Sequence, residues 1–124
     1  MHIALVAHDA KKDDMVDLAR KHLEMLSKHQ LYATKATGQI LKDILGLNIT
    51  LFLPGPFGGD QQIGALVAKG TIEMVIFIRD PLSAQPHEPD IAALLRVCDV
   101  HNVPLATNLG TAEFLLKELK KTSN

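Results

Sequence analysis

The sequence predicts an α/β fold, a single three-layer α/β/α sandwich around a five-stranded parallel doubly wound sheet. Three observations predict it. Short continuous apolar runs such as Ile3 to Ala7 and Met74 to Ile78 have the length and composition of strands buried on both faces. Between such runs lie segments with apolar residues at helical spacing. The two patterns alternate along the chain, which implies parallel strands joined by crossover helices.

Ile3 to Ala7 is the first strand. Lys11 to Lys28 places Met15, Leu18, Ala19, His22, Leu23 and Leu26 on one helical face. Leu31-Tyr32-Ala33 is a second short strand. Thr37-Gly38-Gln39 opens a helix running to Leu45, with Gly46 as its C-terminal stop. Thr50 to Leu53 is the third strand, and Asp60 to Lys69 is the third helix, closed by Gly70. Met74 to Ile78 is the strongest strand signal. A loop from Arg79 to Glu88 holds Pro81 and Pro86, and Pro89 suits the first turn of a helix from Asp90 to His101. Pro104 to Thr107 is the fifth strand, and Thr111 to Lys120 is the last helix. Cations from Lys117 to Lys121 complement the dipole at its C-terminal end. No repeat, linker or low-complexity segment interrupts this order, so 1–124 reads as a single domain.

Composition narrows the function classes. A hydrophobic content of 47% with no charged block argues for a packed, ordered chain. The 13 Lys+Arg and 14 Asp+Glu leave a formal net charge of −1, which favours neither a nucleic-acid nor a membrane partner. Cys98 is the only cysteine, so an intrachain disulfide and a Cys-based zinc site are excluded. It fits the apolar helical pattern as a small core residue. Met1 to Ala7 is too short for a secretory apolar region, and no apolar run approaches a membrane span. The expected compartment is the cytoplasm.

Doubly wound sheets bind ligands beyond the carboxyl ends of their strands, at the switch point. Every strand here ends in polar residues: His8 and Asp9 with Lys12 one turn on; Thr34 to Gly38; Gly55 to Asp60; Arg79 and Asp80, then His87 and Asp90; Thr107, Asn108 and Thr111. The richest is Gly55-Pro56-Phe57-Gly58-Gly59-Asp60-Gln61-Gln62. A strand that runs through glycines into a helix start presents free backbone N–H groups to an anion. Asp60 adds an acid at the edge of that cradle, which points to chemistry on a small phosphorylated molecule.

Each cluster also has an ordinary reading. Thr34 and Thr37 suit turn and N-cap positions, Asp90 suits a helix start, and Asp60 suits the N-cap of the third helix. His22, His29 and His101 lie on helical patterns or ends and read as structural or exposed, and His2 opens the first strand at the opposite edge. His8 and His87 differ, because one ends a strand at the switch point and the other sits in a loop that buries little apolar surface. The spacing of His8, Asp9, His87 and Asp90 matches no closed zinc pattern, so no metal is expected.

Several of these segments, in the same order, resemble methylglyoxal synthase over nearly the whole chain. They are Val6-Ala7-His8-Asp9, Tyr32-Ala33-Thr34 with Thr37-Gly38, Gly55 to Ala65, Phe77 to Leu82, Pro86-His87 with Pro89-Asp90, and Ala106-Thr107-Asn108. The resemblance implies a lyase that converts dihydroxyacetone phosphate to methylglyoxal and inorganic phosphate without a metal or organic cofactor. It implies an α/β/α sandwich assembled as a homohexamer. It makes Asp60 the catalytic base. Phosphate and triose are then held by His8, Lys12, Thr34, Lys35, Ala36, Thr37, Pro54, Gly55 and His87, and Asp9, Asp80 and Asp90 are the remaining acids. Three departures stand out. Pro54 replaces a Ser of many members, so the backbone must serve there. Lys35 adds a cation that some members lack. The chain stops at Asn124, short of an extension bearing an arginine implicated in subunit communication, so no allosteric behaviour is expected.

The residue types suit that chemistry. A carboxylate base against an apolar wall such as Phe57 has a raised pKa and better basicity. His87 is placed to polarise the enediolate oxygen, with Asp90 or another acid fixing its tautomer. The glycine-loop amides, Lys12, Thr34 and Thr37 are the donors for the departing phosphate. Asp9, Asp60, Asp80 and Asp90 in one cleft would share protons. A grip that sets the C–O bond perpendicular to the enediolate plane selects elimination over isomerisation. The rival readings are a non-catalytic module that binds a phosphorylated effector, an isomerase acting on the same triose, and a signalling receiver domain. The last is rejected, because the third strand ends in Leu53-Pro54-Gly55 rather than a phospho-acceptor Asp and the fifth in Thr107-Asn108 rather than Lys.

Overall fold

The computed structural model describes residues 1–122. It contains a five-stranded sheet, parallel throughout, in the order β3-β2-β1-β4-β5. The strands are β1 (His2–Ala7), β2 (Gln30–Ala33), β3 (Ile49–Leu51), β4 (Met74–Ile78) and β5 (Leu105–Ala106). The helices are α1 (Lys12–Lys21), α2 (Leu23–Leu26), α3 (Lys35–Leu45), α4 (Gly59–Lys69), α5 (Glu88–Val100) and α6 (Leu109–Thr122). No helix of the described residues is long and apolar enough to cross a membrane.

Side chains of the central strands alternate between two cores, as the pleat requires. Ile3, Leu5 and Ala7 of β1 and Met74, Ile76 and Ile78 of β4 face one layer, built from α1, α2, α3 and α6. Ala4 and Val6 of β1 and Val75 and Phe77 of β4 face the other, where α4 and α5 supply Ile63, Val67, Ile91, Leu94 and Cys98. Burial on both sides explains why these strands read as unbroken apolar runs. Cys98 is fully buried among these residues, and burial pushes its thiol pKa up to about 11, so it packs as a small hydrophobe.

The long first helix predicted over Lys11–Lys28 is broken. His22 leaves helical geometry at φ −113°, ψ 25° and separates α1 from α2. The bend buries His22, whose Nε2 lies 3.1 Å from Glu113 Oε2 on α6. A polar side chain on the apolar face is tolerated because it finds this partner. The α3 helix also begins earlier than the sequence predicts, at Lys35, with Thr34 in extended geometry before it.

Strand order reverses between β1 and β4, so the switch point lies there. Pairing of β1 with β4 runs to Ala7 opposite Ile78, whereas pairing with β2 stops at Leu5 opposite Ala33. The Thr37 hydroxyl accepts the Ala7 N–H at 3.2 Å in place of a strand partner.

The turn after β3 depends on a close backbone approach. A Cβ on Gly59 would sit 2.0 Å from the Leu53 carbonyl oxygen, whereas one on Gly64 in the same helix would meet nothing nearer than Val97 Cγ1 at 3.7 Å. Two substitutions in α4 should therefore have opposite signs. Gly59→Ala forces backbone apart and should lose about 2–3 kcal/mol. Gly64→Ala removes the helix penalty of glycine and should gain about 0.5–1 kcal/mol. Urea unfolding of both variants checks the pair.

Candidate active site

Beyond the carboxyl ends of β1 to β4 lies a cleft of about 180 Å³. That is well below the ~300–1,000 Å³ of drug-sized sites, so it suits a small metabolite. Its walls include His8, Asp9, Lys12, Thr34, Ala36, Pro54, Gly55, Asp60, Gln85 and His87, closed below by Val6, Ala7 and Phe77 and at the side by Pro56.

Asp60 is at the centre. It sits in the first turn of α4, but Gly58 occupies the N-cap position, and both Asp60 carboxylate oxygens are buried with no hydrogen-bond partner. The helix-cap reading of Asp60 is therefore overturned. Its residue exposure is 1%, and Oδ2 lies 3.4 Å from His87 Nε2. Burial raises its pKa; the nearby His87 opposes that shift and Asp90 adds to it. Phe57 is not the apolar wall the sequence predicts, since it is 77% exposed, and Phe77 and Pro56 take that place. Gly55 leaves room beside the pair, since a Cβ there would press on it at 3.0 Å from His87 Nε2 and 3.1 Å from Asp60 Oδ2.

His8 ends β1 and stands edge-on to Phe77. Its Nδ1 accepts the backbone N–H of Asp80 at 2.8 Å. A neutral His8 therefore carries its proton on Nε2, and Nε2 is buried without a partner in the chain. Burial lowers the His8 pKa, and the charges of His87 and Arg79 add to that. The result is a neutral N–H donor on the cleft wall. Lys12 donates to the Ala7 carbonyl oxygen at 2.9 Å and to Asp9 Oδ1 at 2.8 Å. An ammonium has three donors, so one remains for a ligand. The Lys12 contact in turn holds the Asp9 carboxyl below its ordinary pKa.

The sequence places the anion cradle in the glycine loop, and the structure shows three of the amides there engaged within the loop itself. Gly55–Phe57 forms a 3₁₀ turn. The N–H groups of Phe57 and Gly59 donate to the Pro54 carbonyl oxygen, and that of Gly58 donates to Gly55. Those amides are spent. The N-terminus of α3 offers donors instead. Thr34 precedes it without a side-chain cap bond, and no acidic residue occupies its first turn. The orphan amides of Lys35, Ala36 and Thr37 and the positive helix end together attract an anion.

Four predicted site residues stand outside the cleft wall. The Lys35 side chain is exposed. The Thr37 hydroxyl is engaged with Ala7. Asp80 Oδ1 accepts the Leu82 N–H at 3.0 Å, while its own N–H fixes His8. Asp90 Oδ1 accepts from Gln61 Nε2 at 3.1 Å rather than from His87, so the acid beside the His87 imidazole is Asp60. The four acids therefore do not crowd one cleft. The polar end of β5 is also apart: Thr107 and Asn108 line a separate groove with Lys11 and Arg79, because β5 is the edge strand beyond β4. Gln85 lines the cleft and was not foreseen. Its only signal is its place two residues before His87, and nothing in the sequence aims it inward.

Fold and site together define an α/β protein with a compact cleft that pairs a buried, unbonded carboxylate with N–H donors suited to a small anion. Comparison with known proteins narrows that class. The family model described as MGS-like domain matches residues 14–107. Methylglyoxal synthase of Caldicellulosiruptor saccharolyticus is 61% identical over 121 residues, covering 98% of this chain and 86% of the relative. Methylglyoxal synthase of a Thermoanaerobacter species is 60% identical, covering 98% of this chain and 92% of the relative. The crystal structure of methylglyoxal synthase from Elizabethkingia anophelis NUHP1 superposes with a TM-score of 0.88 at 48% identity, covering 93% of this chain and 76% of that one. The chain belongs to the methylglyoxal synthase family, and it is a lyase acting on a small molecule.

A buried carboxylate without hydrogen bonds burdens the fold. The folded pKa of Asp60 is raised above the unfolded value. The native state therefore binds this proton more tightly, and stability falls as pH rises from the unfolded value through the folded one. Asp60→Asn removes the charge. It should raise Tm at pH 8, with the gain closing as pH falls toward 4. Thermal melts of both proteins across that range check it, and a lower Tm for the variant at pH 8 refutes it.

Proposed function

We propose that the chain converts dihydroxyacetone phosphate to methylglyoxal and inorganic phosphate, with Asp60 as base. The observation that carries this reading is the Asp60 carboxylate itself, 1% exposed, unbonded, and 3.4 Å from an imidazole in a small cleft. A carboxylate left without partners is poised to take a proton, and its raised pKa brings it nearer the optimum for general-base work.

In this reading the phosphate group lies at the N-terminus of α3. The first-turn amides, the Thr34 hydroxyl and the remaining Lys12 donor hold it, and His8 Nε2–H reaches an oxygen of the substrate. Asp60 removes a proton from the carbon bearing the free hydroxyl. The carbonyl oxygen gains the charge, and His87 stabilises the enediolate. The hydroxyl proton then passes to the former carbonyl oxygen, and the electrons it leaves form the aldehyde C=O. The carbon–carbon double bond shifts to expel phosphate from the third carbon, with the proton held by Asp60 leaving on the phosphate. That step breaks the C–O bond and leaves the enol of methylglyoxal, which takes a proton on carbon. The other acids act at one remove. Asp9 orients Lys12, the Asp80 backbone fixes the His8 tautomer, and Asp90 bears on the charge of Asp60. The reading includes a cytoplasmic homohexamer, which predicts a particle of six times the chain mass by light scattering; a monomer refutes that part.

The deciding assay incubates the purified chain with dihydroxyacetone phosphate and a chelator, and measures methylglyoxal and free phosphate together. Equal, enzyme-dependent release of both is expected. Formation of the isomeric triose phosphate, or phosphate binding without turnover, sinks the reading. Asp60→Asn should lose about 10²–10⁴ in kcat while keeping phosphate affinity. His87→Asn should lose on the order of 10² in kcat/KM. Near-normal kcat in the first, or unchanged kcat/KM in the second, removes that residue from its role.

A further inference from the structure

The loop between β4 and α5 carries His87 and Gln85 to the cleft, yet it has little to hold it. Pro81, Leu82, Ser83, Ala84 and Pro86 are all exposed, and Leu82 is 94% so. Segments with few buried apolar contacts sit at the low end of local stability. The front of the loop is anchored at Asp80, whose N–H donates to His8 Nδ1 and whose Oδ1 accepts the Leu82 N–H. Further on, the Gln85 side chain reaches the Ser83 carbonyl oxygen only at 3.4 Å.

At the back of the loop the His87 carbonyl oxygen accepts the N–H groups of Asp90 and Ile91 in the first turn of α5, and Glu88 supplies the side-chain contact. Glu88 Oε1 accepts the Gln85 N–H at 3.1 Å, and the Glu88 N–H donates to the Gln85 carbonyl oxygen at 3.3 Å. These two bonds close a ring around Pro86 and His87. The other carboxylate oxygen, Oε2, lies 3.7 Å from Arg79 Nη2, on the residue that follows β4. Glu88 therefore spans the loop from its last turn to its first residue. The ion pair is long and partly exposed, so it contributes little by itself. The bond to the Gln85 N–H is the working contact.

We propose that Glu88 is a positioning residue, whose carboxylate sets the Gln85–His87 segment against Asp60. The proposal rests on the role given to His87 above. Misplacement of a reacting group by about 1 Å costs on the order of 10²-fold, so a loose end to this loop is felt in turnover.

The test uses Glu88→Ala, which removes both contacts, and Glu88→Gln, which keeps an acceptor for the Gln85 N–H. Glu88→Ala should lose about 10- to 100-fold in kcat/KM, with the larger part in kcat, and Glu88→Gln should recover most of it. A purely structural Glu88 would lower Tm and leave kcat alone, which overturns the proposal. So does a Glu88→Gln variant as impaired as Glu88→Ala. A double-mutant cycle locates the effect: with His87→Ala, the added Glu88→Ala should cost little more, whereas full additivity places Glu88 elsewhere. An impaired His87→Ala beside an unimpaired Glu88→Ala defeats this proposal alone, and an unimpaired His87→Ala defeats the His87 assignment. Hydrogen exchange reads the loop without reference to turnover. Amides of residues 80–87 should exchange faster in Glu88→Ala and near the wild-type rate in Glu88→Gln. Unchanged exchange in Glu88→Ala overturns the proposal whatever the activity.

Discussion

The Asp60 carboxylate is buried, unbonded and beside an imidazole, and much of the surrounding structure serves to keep it so. A charge taken from water is costly unless it is paired and hydrogen-bonded. Here the helix that carries it withholds its cap, since Gly58 stands at that position. Gly59 lets the chain pass against Leu53, and Gly55 leaves the space above the carboxylate open. A side chain at Gly55 would press on the carboxylate, and one at Gly59 would push the turn away from Leu53. Gly55 therefore keeps the space beside the acid open, and the Phe57, Gly58 and Gly59 amides are satisfied within the turn.

The second constraint is the end of β1. It is the central strand and loses its β2 partner before its last residue. Two side chains then meet at Ala7 through three contacts: the Thr37 hydroxyl on its N–H, and Lys12 and Thr37 on its carbonyl oxygen. The next residue, His8, donates its backbone N–H to Ile78 while its ring accepts from Asp80. Backbone atoms of Ala7 and Asp80 thus fix the ammonium and the imidazole that face a ligand. Groups held by the sheet need little reorganisation when charge develops on an oxyanion, which is the condition for electrostatic stabilisation.

The sequence carried the scaffold well, and the reason is physical. The β1 and β4 strands are apolar on both faces because helices cover both, and each helix stop at Gly46 and Gly70 is a left-handed position that glycine adopts readily. What was not legible depends on contacts distant in sequence. The break at His22 is stabilised by Glu113, far along the chain. Glycines near a helix start look the same whether their amides point outward or into a 3₁₀ turn, so which amides of this loop are engaged was not legible. The sequence shows Asp80 and Asp90 at strand and helix ends but not that one oxygen of each carboxylate accepts from Leu82 or Gln61. Phe57 and Phe77 are equally apolar on paper, and only the fold turns one to solvent and the other to the cleft.

The cleft thus joins parts of unequal stiffness. His8, Lys12 and Thr34 stand at the ends of paired strands or in the first turns of packed helices. Asp60 lies in the first turn of α4, whose Ile63 and Val67 are locked in the core. His87 and Gln85 alone arrive on a loop, whose other residues from Pro81 to Pro86 are exposed. In the proposed reaction the rigid side holds the leaving group and the base, and the loosely held side meets the oxygen that becomes an enediolate. That division has a logic in the chemistry. The leaving group and the base must keep one geometry from proton removal to C–O cleavage, because rotation between the steps would favour isomerisation. The oxygen partner on the loop is brought to the same geometry by its ties at Asp80 and Glu88.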